Sequence, residues 1–452
     1  MLDNKITLST LIIFLICFLT IESKKTLVLL DDWNNVDTNS VFWSQITNMG
    51  YQITFKMAND KDIQLTNYGE YLYENIIFFA PTYVDSQKND ITIEKLLKFI
   101  DDGHDLMIFG SSDAGKFIRN LVNEFGADFD DFDSEVKDSV YLHSGSESGL
   151  NRQLLDLKDD EIIISKNVIG INPIFKKPKG YILYKGIGMD LDPQNKYVFP
   201  ILSGDKNSYS VSKSTGEVFS NGEHIKLVNG YQARNNKRVV VLGSTEICSD
   251  KFYYLSMGED NKSMLEAPNA IFCQDILNWN FQRTGVLKFT NVKHNNNKGE
   301  TLETYRIKDY LEYYIDILEY DYVTNTWKNY DADDIQLSFL MMNPYYINQM
   351  KRLYGKPTYY AKFRAPEKHG VFKFIVDYHR TGYSYIFSST KIPLRPFYHN
   401  EFPRFIPCAY PYYVSVFVIL GSSILFSILF LYGKEKIKEK KKIPKSHLIY
   451  LY

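Results

Sequence analysis

The chain predicts an α/β lumenal region with a largely parallel sheet, then a β-sandwich-like domain and one C-terminal transmembrane helix. Three observations carry this. Short continuous apolar runs alternate with amphipathic helical stretches up to about residue 284. From Gly285 onward the apolar residues recur at every second position. Tyr412 to Tyr432 carries no charge over 21 residues, about 31 Å of helix against a hydrocarbon core of roughly 30 Å.

The first apolar run, Leu11 to Leu19, is too short to span and is followed by small Ser23. It reads as a signal peptide over residues 1–23, with an uncleaved anchor as the alternative. Thr26 to Leu30, Asn75 to Ala80 and Asp105 to Phe109 are runs of the buried-strand type, while Tyr51 to Phe55 alternates. Between them, Ser40 to Asn48, Ile93 to Ile100 and Ala114 to Phe125 have helical periodicity, and Gly50 and Gly126 stand where helix-stopping glycines belong. Continuous apolar strands alternating with helices argue a covered, mainly parallel sheet. Further strands at Ile162–Ile164 and Val239–Leu242 extend the region over residues 24–284.

In the second region, residues 285–400, Leu311, Tyr313, Ile315 and Ile317 share one face, as do Phe372, Phe374, Val376 and Tyr378. Short strands at roughly ten-residue spacing suggest a sandwich. A Pro-rich approach (401–411) leads to the span at 412–432. The tail, 433–452, holds seven Lys and two Glu, marking the cytosolic side of a type I protein. The formal charge of the whole chain is −2, so no basic excess points to nucleic acid.

Several motifs could carry chemistry. Gly110-Ser-Ser-Asp-Ala114 closes a strand before a helix, the setting of a nucleophile elbow with Ser112 as nucleophile. The plainer reading is a βα turn in which Ser112 or Asp113 caps the helix. Asp190-Leu-Asp192 is a DxD of the kind that holds a metal on a sugar diphosphate, but Asp128-Phe-Asp130 and Asp131-Phe-Asp133 match equally, and a solvated turn before Pro193 explains it as well. Gly186-Ile-Gly188 is half a dinucleotide fingerprint. Asn261-Lys-Ser263 is a glycosylation sequon. Cys248 and Cys273 either pair or stay as buried thiols. No HExxH or CxxC occurs, and we expect no catalytic, cofactor or metal site.

Longer blocks point to a family. His369 to Thr390 (HGVFKFIVDYHRTGYSYIFSST), Arg404 to Tyr413 (RFIPCAYPYY), Thr26 to Asp32 (TLVLLDD), Tyr68 to Pro81 (YGEYLYENIIFFAP), Gly230 to Asn236 (GYQARNN) and Asp333 to Phe339 (DDIQLSF) together resemble the 48 kDa subunit family of the oligosaccharyltransferase, which includes the yeast wheat-germ-agglutinin-binding-protein subunit. The resemblance implies an accessory subunit in the endoplasmic reticulum membrane. Its complex transfers a preassembled glycan from dolichyl diphosphate to Asn of Asn-x-Ser/Thr in nascent proteins, and catalysis and the divalent metal belong to the STT3-type subunit. Ribophorins and a DAD1-type small subunit are the other implied partners, with possible contact to lipid-linked glycan or nascent chain. Some members end in a di-lysine retrieval signal, whereas Lys441-Lys442 here lie ten residues from the end. The competing readings are a lumenal enzyme using Ser112 or Asp192, and a glycan-binding receptor using exposed aromatic residues.

Overall fold

The computed structural model describes residues 24–85, 90–138, 163–165, 175, 180–257, 263–402 and 407–434. The signal run, Asn261 of the sequon and the tail beyond Lys434, with Lys441-Lys442, lie outside them.

The first region is built on a nine-stranded sheet. Its strands are β1 (Lys25–Leu30), β2 (Gln52–Met57), β3 (Asn75–Phe79), β4 (Asp105–Phe109), β5 (Ala127–Phe129), β6 (Met189–Leu191), β7 (Val198–Ser203), β8 (Lys226–Gln232) and β9 (Arg238–Leu242). The order is β2-β1-β3-β4-β9-β8-β6-β5, with β7 also paired to β8. Strands β2, β1, β3, β4 and β9 are mutually parallel. From β8 outward every pairing is antiparallel. The sequence pattern captures the parallel half: β1, β3, β4 and β9 are covered on both faces and run continuously apolar after their first polar residues, while β2, at the edge, alternates. It does not capture β5 and β6, three residues each with an Asp in the middle, or β7, a six-residue strand broken by Pro200.

Alternate residues of these strands feed two apolar layers. Val28, Leu30, Ile77, Phe79, Met107 and Phe109 pack with Phe42, Trp43 and Ile46 of helix α1 (Ser40–Asn48). Leu27, Leu29, Ile76, Phe78, Leu106 and Ile108 pack with α2 (Ile93–Asp101) and α3 (Lys116–Glu124) on the other face. Gly50 adopts φ +91° where α1 ends, a conformation other residues rarely enter. Thr92 caps α2 by accepting from the Lys95 amide at 3.3 Å. Two further helices, α4 (Asp250–Ser256) and α5 (Pro268–Asn280), complete the first layer.

The capping role expected of Ser112 or Asp113 is not realised. Helix α3 starts at Lys116 with Gly115 at its N-cap and no side-chain cap bond. The physical reason is close approach: the Gly115 amide donates to Pro81 O at 2.8 Å, and a Cβ there would stand 3.3 Å from Tyr83 O. The turn is therefore two residues longer than the helix periodicity suggests.

The second region is a pair of five-stranded sheets. In one, β10 (Leu287–Asn296), β11 (Tyr310–Asp321) and β14 (Thr358–Arg364) are flanked by the short strands Thr326–Asn329 and Lys351–Arg352. In the other, the short strand Tyr305–Arg306 precedes β16 (Ile386–Arg395), β15 (Gly370–Tyr378), β12 (Gln336–Met341) and β13 (Asn343–Gln349) in spatial order. The period-two faces meet between the sheets: Tyr313 and Phe374 have ring centroids 4.9 Å apart, and Phe339 and Phe363 5.0 Å. The apolar cluster of the first layer runs without a break into this interior. Helix α6 (Tyr410–Tyr432), 23 residues and uncharged, measures about 35 Å, long and apolar enough to cross a membrane.

Candidate functional site

Open α/β sheets bind ligands at the carboxyl ends of their parallel strands. Ser112, the glycine pair and Asp130 lie near that rim, whereas Asp192, whose amide donates to Gly126 O at 3.0 Å just past the end of α3, lies at the opposite edge of the sheet. After β1, Asp31 accepts from the Thr82 amide at 2.9 Å and its hydroxyl at 2.7 Å, tying the loops after β1 and β3 together. After β4, the half-exposed Ser112 uses its carbonyl to accept from Asp133 N at 3.1 Å. No hydrogen bond to its hydroxyl is found among the described residues. His104, the histidine closest to it in sequence, precedes β4 and so lies at the opposite end of that strand. Its ring stacks on Phe99 with centroids 4.4 Å apart, and burial pulls its pKa down. Ser112 and His104 are thus not brought together.

Gly186 and Gly188 serve packing. The chain crosses the end of β9, where Ile187 N donates to Gly243 O at 2.9 Å. A Cβ on Gly186 would overlap Gly243 O, one on Gly243 would overlap Ile187 O, and one on Gly188 would overlap the Asp130 carboxylate. Backbone lies against backbone where a dinucleotide fold keeps room for phosphate. Gly243→Ala is therefore expected to destabilise the protein by about 1–3 kcal/mol, because the obstructing atoms are backbone and yield poorly. Denaturant unfolding checks this; an unchanged midpoint would refute the tight crossing.

The aspartates are occupied locally. Asp190 Oδ1 accepts from Leu191 N at 2.8 Å, and Asp192 Oδ1 from Gln194 N at 2.9 Å, an Asx-type turn into Asp192-Pro193. Asp190 faces Asp128 across the β5–β6 pair, a like-charge juxtaposition. Asp130 accepts from the Ser210 hydroxyl, and burial raises its pKa. Arg119 reaches the same loop through carbonyls, donating to Ala114 O at 3.0 Å and Asp130 O at 2.5 Å. Asp131 O closes a turn with Ser134 N, and Asp133 sits at φ +62°. Among the described residues, no three His, Cys, Asp or Glu gather as a metal site.

The densest polar constellation lies elsewhere, at the joint between the two regions. Arg238, in the otherwise apolar strand β9, is fully buried. Its guanidinium donates to Trp279 O at 2.6 Å, Thr284 O at 2.6 Å and Gly285 O at 2.9 Å, with Gly382 O at 3.5 Å, and stacks 4.8 Å from the Trp279 ring centroid. Burial pulls its pKa down to about 10, which keeps it charged at neutral pH. Trp279 Nε1 donates to Gly382 O at 2.8 Å, Gln232 Nε2 to Tyr383 O at 2.8 Å, and Tyr385 N to Asn236 Oδ1 at 2.6 Å. Gly230, within β8, leaves room for Phe199 and Trp279, whose rings a Cβ would meet at 2.8 and 3.1 Å. Two of the signature blocks, Gly230–Asn236 and the Arg380–Tyr385 part of the longest one, are the two sides of this joint. Sequence reading quotes both blocks but misses Arg238; a lone arginine heading a run of Val is the signal that marks it.

Cys248 and Cys273 are bonded, joining the loop after β9 to α5. That resolves the open choice between a disulfide and two thiols. Beside it the buried Asn269 side chain bridges Leu183 and Ile247 through three bonds of 2.9 Å.

Comparison with known proteins matches the family "OST48, N-terminal domain" over residues 18–283 and "OST48 middle domain" over residues 292–434. The chain is 36% identical over 422 residues to the dolichyl-diphosphooligosaccharide–protein glycosyltransferase 48 kDa subunit of Danio rerio, covering 92% of this chain and 93% of that one. It is 34% identical to the Arabidopsis thaliana 48 kDa subunit over 420 residues, 91% of this chain and 93% of the other. Among solved structures, the carbohydrate deacetylase Agd3 aligns with 49% of this chain and 29% of its own at 12% identity and a TM-score of 0.27, too low to carry an argument.

Proposed function

The chain belongs to the OST48 family of 48 kDa subunits of the dolichyl-diphosphooligosaccharide–protein glycosyltransferase, and from that premise we propose that it serves the transferase as an accessory subunit without a catalytic centre of its own. The complex moves a preassembled glycan from dolichyl diphosphate to Asn of Asn-x-Ser/Thr, with catalysis in a separate STT3-type chain. Ribophorins and a DAD1-type subunit are its neighbours in the endoplasmic reticulum membrane. The observation that carries the reading is where the signature residues go. Two blocks build the joint, while Asp190 and Asp192 hold local backbone amides.

A native pull-down of the tagged full chain tests membership, with a multisubunit transferase as the expected catch. The doubly substituted Ser112→Ala, Asp192→Asn chain tests the absence of a catalytic role. Asn keeps the turn-forming oxygen, so assembly and glycan transfer are both expected at wild-type levels. A hundredfold fall in transfer by a normally assembled complex would instead place the chemistry in this chain.

The proposed topology puts the body in the lumen and the basic tail in the cytosol. Protease added outside sealed microsomes should then remove only residues after Gly433. Digestion of the body under those conditions would reverse the orientation.

A further inference from the structure

The sandwich has two unlike ends. At one, Gly285 and the turn Gly382–Tyr385 between β15 and β16 receive the α/β region through Arg238, Trp279 and Gln232. At the other, β16 runs out at Arg395 and the chain leaves for the span. That second end is formed by the turn at Met342 between β12 and β13, the start of β15 at Gly370, and the segment after β16. They are neighbours by register: Gly370 pairs with Leu394, Leu340 with Lys373, and a Cβ on Gly370 would touch Met341 Sδ.

This end displays apolar side chains that the described residues leave uncovered. Met342 is 96% exposed, Val371 59%, Tyr398 62% and Phe402 57%. The exit segment that carries two of them is nevertheless held in place. Arg395 grips Glu401 through two bonds of 2.7 and 2.8 Å, its guanidinium lies 4.0 Å from the Tyr398 ring centroid, and Tyr398 N donates to Glu401 at 2.9 Å. Arg306 adds a contact 5.2 Å from the Phe397 ring centroid. A pinned loop that presents aromatic rings outward is organised to meet something.

Connectivity says what. Phe402 stands eight residues before Tyr410, the first residue of α6. Eight residues reach at most about 29 Å, so this end is leashed to the bilayer that α6 crosses. The joint lies beyond the whole length of β15, about 27 Å further along the strand. We propose that the exit end of the sandwich rests in the headgroup layer of that same bilayer, with Met342, Val371, Tyr398 and Phe402 as its contact residues. Aromatic side chains suit the membrane interface, where one part of the ring is apolar and its edge wet. The residues of the α6 entrance, Tyr410, Tyr412 and Tyr413, would then share one aromatic level with Tyr398 and Phe402. The second region is a spacer that stands on the membrane and carries the α/β region above it.

The test uses the full chain with Cys17→Ser and Cys408→Ser, reconstituted in phosphatidylcholine vesicles. Cys408 is the free thiol among the described residues, and Cys248–Cys273 is bonded. Single nitroxide labels are placed by Met342→Cys, Phe402→Cys and, as a far-end control, Val323→Cys. Val323 is 75% exposed in the turn after β11, towards the joint. All three sites are exposed, and Met342 already sits at φ +64°, so cysteine adds no new strain; thermal melts of each variant confirm the fold. At 342 and 402 the label should collide with oxygen more than with a water-soluble nickel chelate, with the ratio reversed at 323. A water-like ratio at 342 and 402 overturns the proposal. So does protection from both reagents, which would assign the patch to a protein surface, a second copy of the chain in these vesicles.

Discussion

Replacing Arg238 by Met is expected to cost about 3–5 kcal/mol, the scale on which breaking a buried charged network destabilises a protein. Met fills much of the volume but donates nothing. The carbonyls of Trp279, Thr284 and Gly285, spread over the end of α5 and the linker, lose the donor they share, and Gly382 loses a weaker one. Gly285 O keeps the Ser384 amide at 2.9 Å and Trp279 O the Gln282 amide at 3.2 Å. Thr284 O is therefore the carbonyl left without a donor among the described residues, at about 1–3 kcal/mol, and the lost bonds to a charged group supply the rest at about 1.5–3 kcal/mol each. Arg238→Lys should fall between wild type and Met, because an ammonium is a point donor and cannot spread over carbonyls fixed by a planar fork. Urea unfolding of the purified chain in detergent, followed by tryptophan fluorescence, measures both. A loss under about 1 kcal/mol for Met, smaller than a single orphaned carbonyl, would show that the joint does not depend on this side chain.

Removing the disulfide is expected to cost about 3 kcal/mol, from closure of a loop with a sequence separation of 25 residues. For a region of this size that corresponds to a fall in melting temperature of about 6–12 °C. Cys248→Ala, Cys273→Ala and the double substitution should show one common shift, since the bond is lost equally in each. The reduced wild-type chain should melt with them. A double variant that loses twice as much as either single one would mean that the thiols matter through packing rather than through the bond.

Much of this architecture was legible because its strands obey simple periodicities. The runs at Thr26–Leu30, Asn75–Phe79 and Asp105–Phe109 are continuously apolar after their first residue, as suits strands covered on both faces. Residues 311–317 and 372–378 alternate, as strands covered on one face must. The antiparallel half of the first sheet obeys neither rule: β6 is Met-Asp-Leu and pairs over three residues with β5, too short to show a period. The motif at Ser112 misled in detail, since a helix start depends on where the neighbouring loop at Pro81 lies, which no local pattern contains. Cys248 and Cys273 could not be paired by counting. Arg238 stands out as a lone arginine heading a run of Val, but its partners do not: the carbonyls lie 41 to 144 residues away, and backbone carbonyls leave no trace in side-chain identity.

Those separations also bear on the order of events during synthesis. When the ribosome has finished the α/β region, Arg238 already has the carbonyls of Trp279 and Thr284 within its own stretch of chain, but Gly382, Tyr383 and Tyr385 have yet to be made. Until the last hairpin of the sandwich emerges, Trp279 Nε1 lacks its acceptor, Gln232 Nε2 has only Asn236 Oδ1, and the edge of the apolar interior stays wet. Such late, long-range closure is slow and leaves a partly finished chain exposed. The first region is therefore expected to wait, incompletely shut, through the translation of more than a hundred residues, and to become resistant to protease in a single step once residue 385 has emerged.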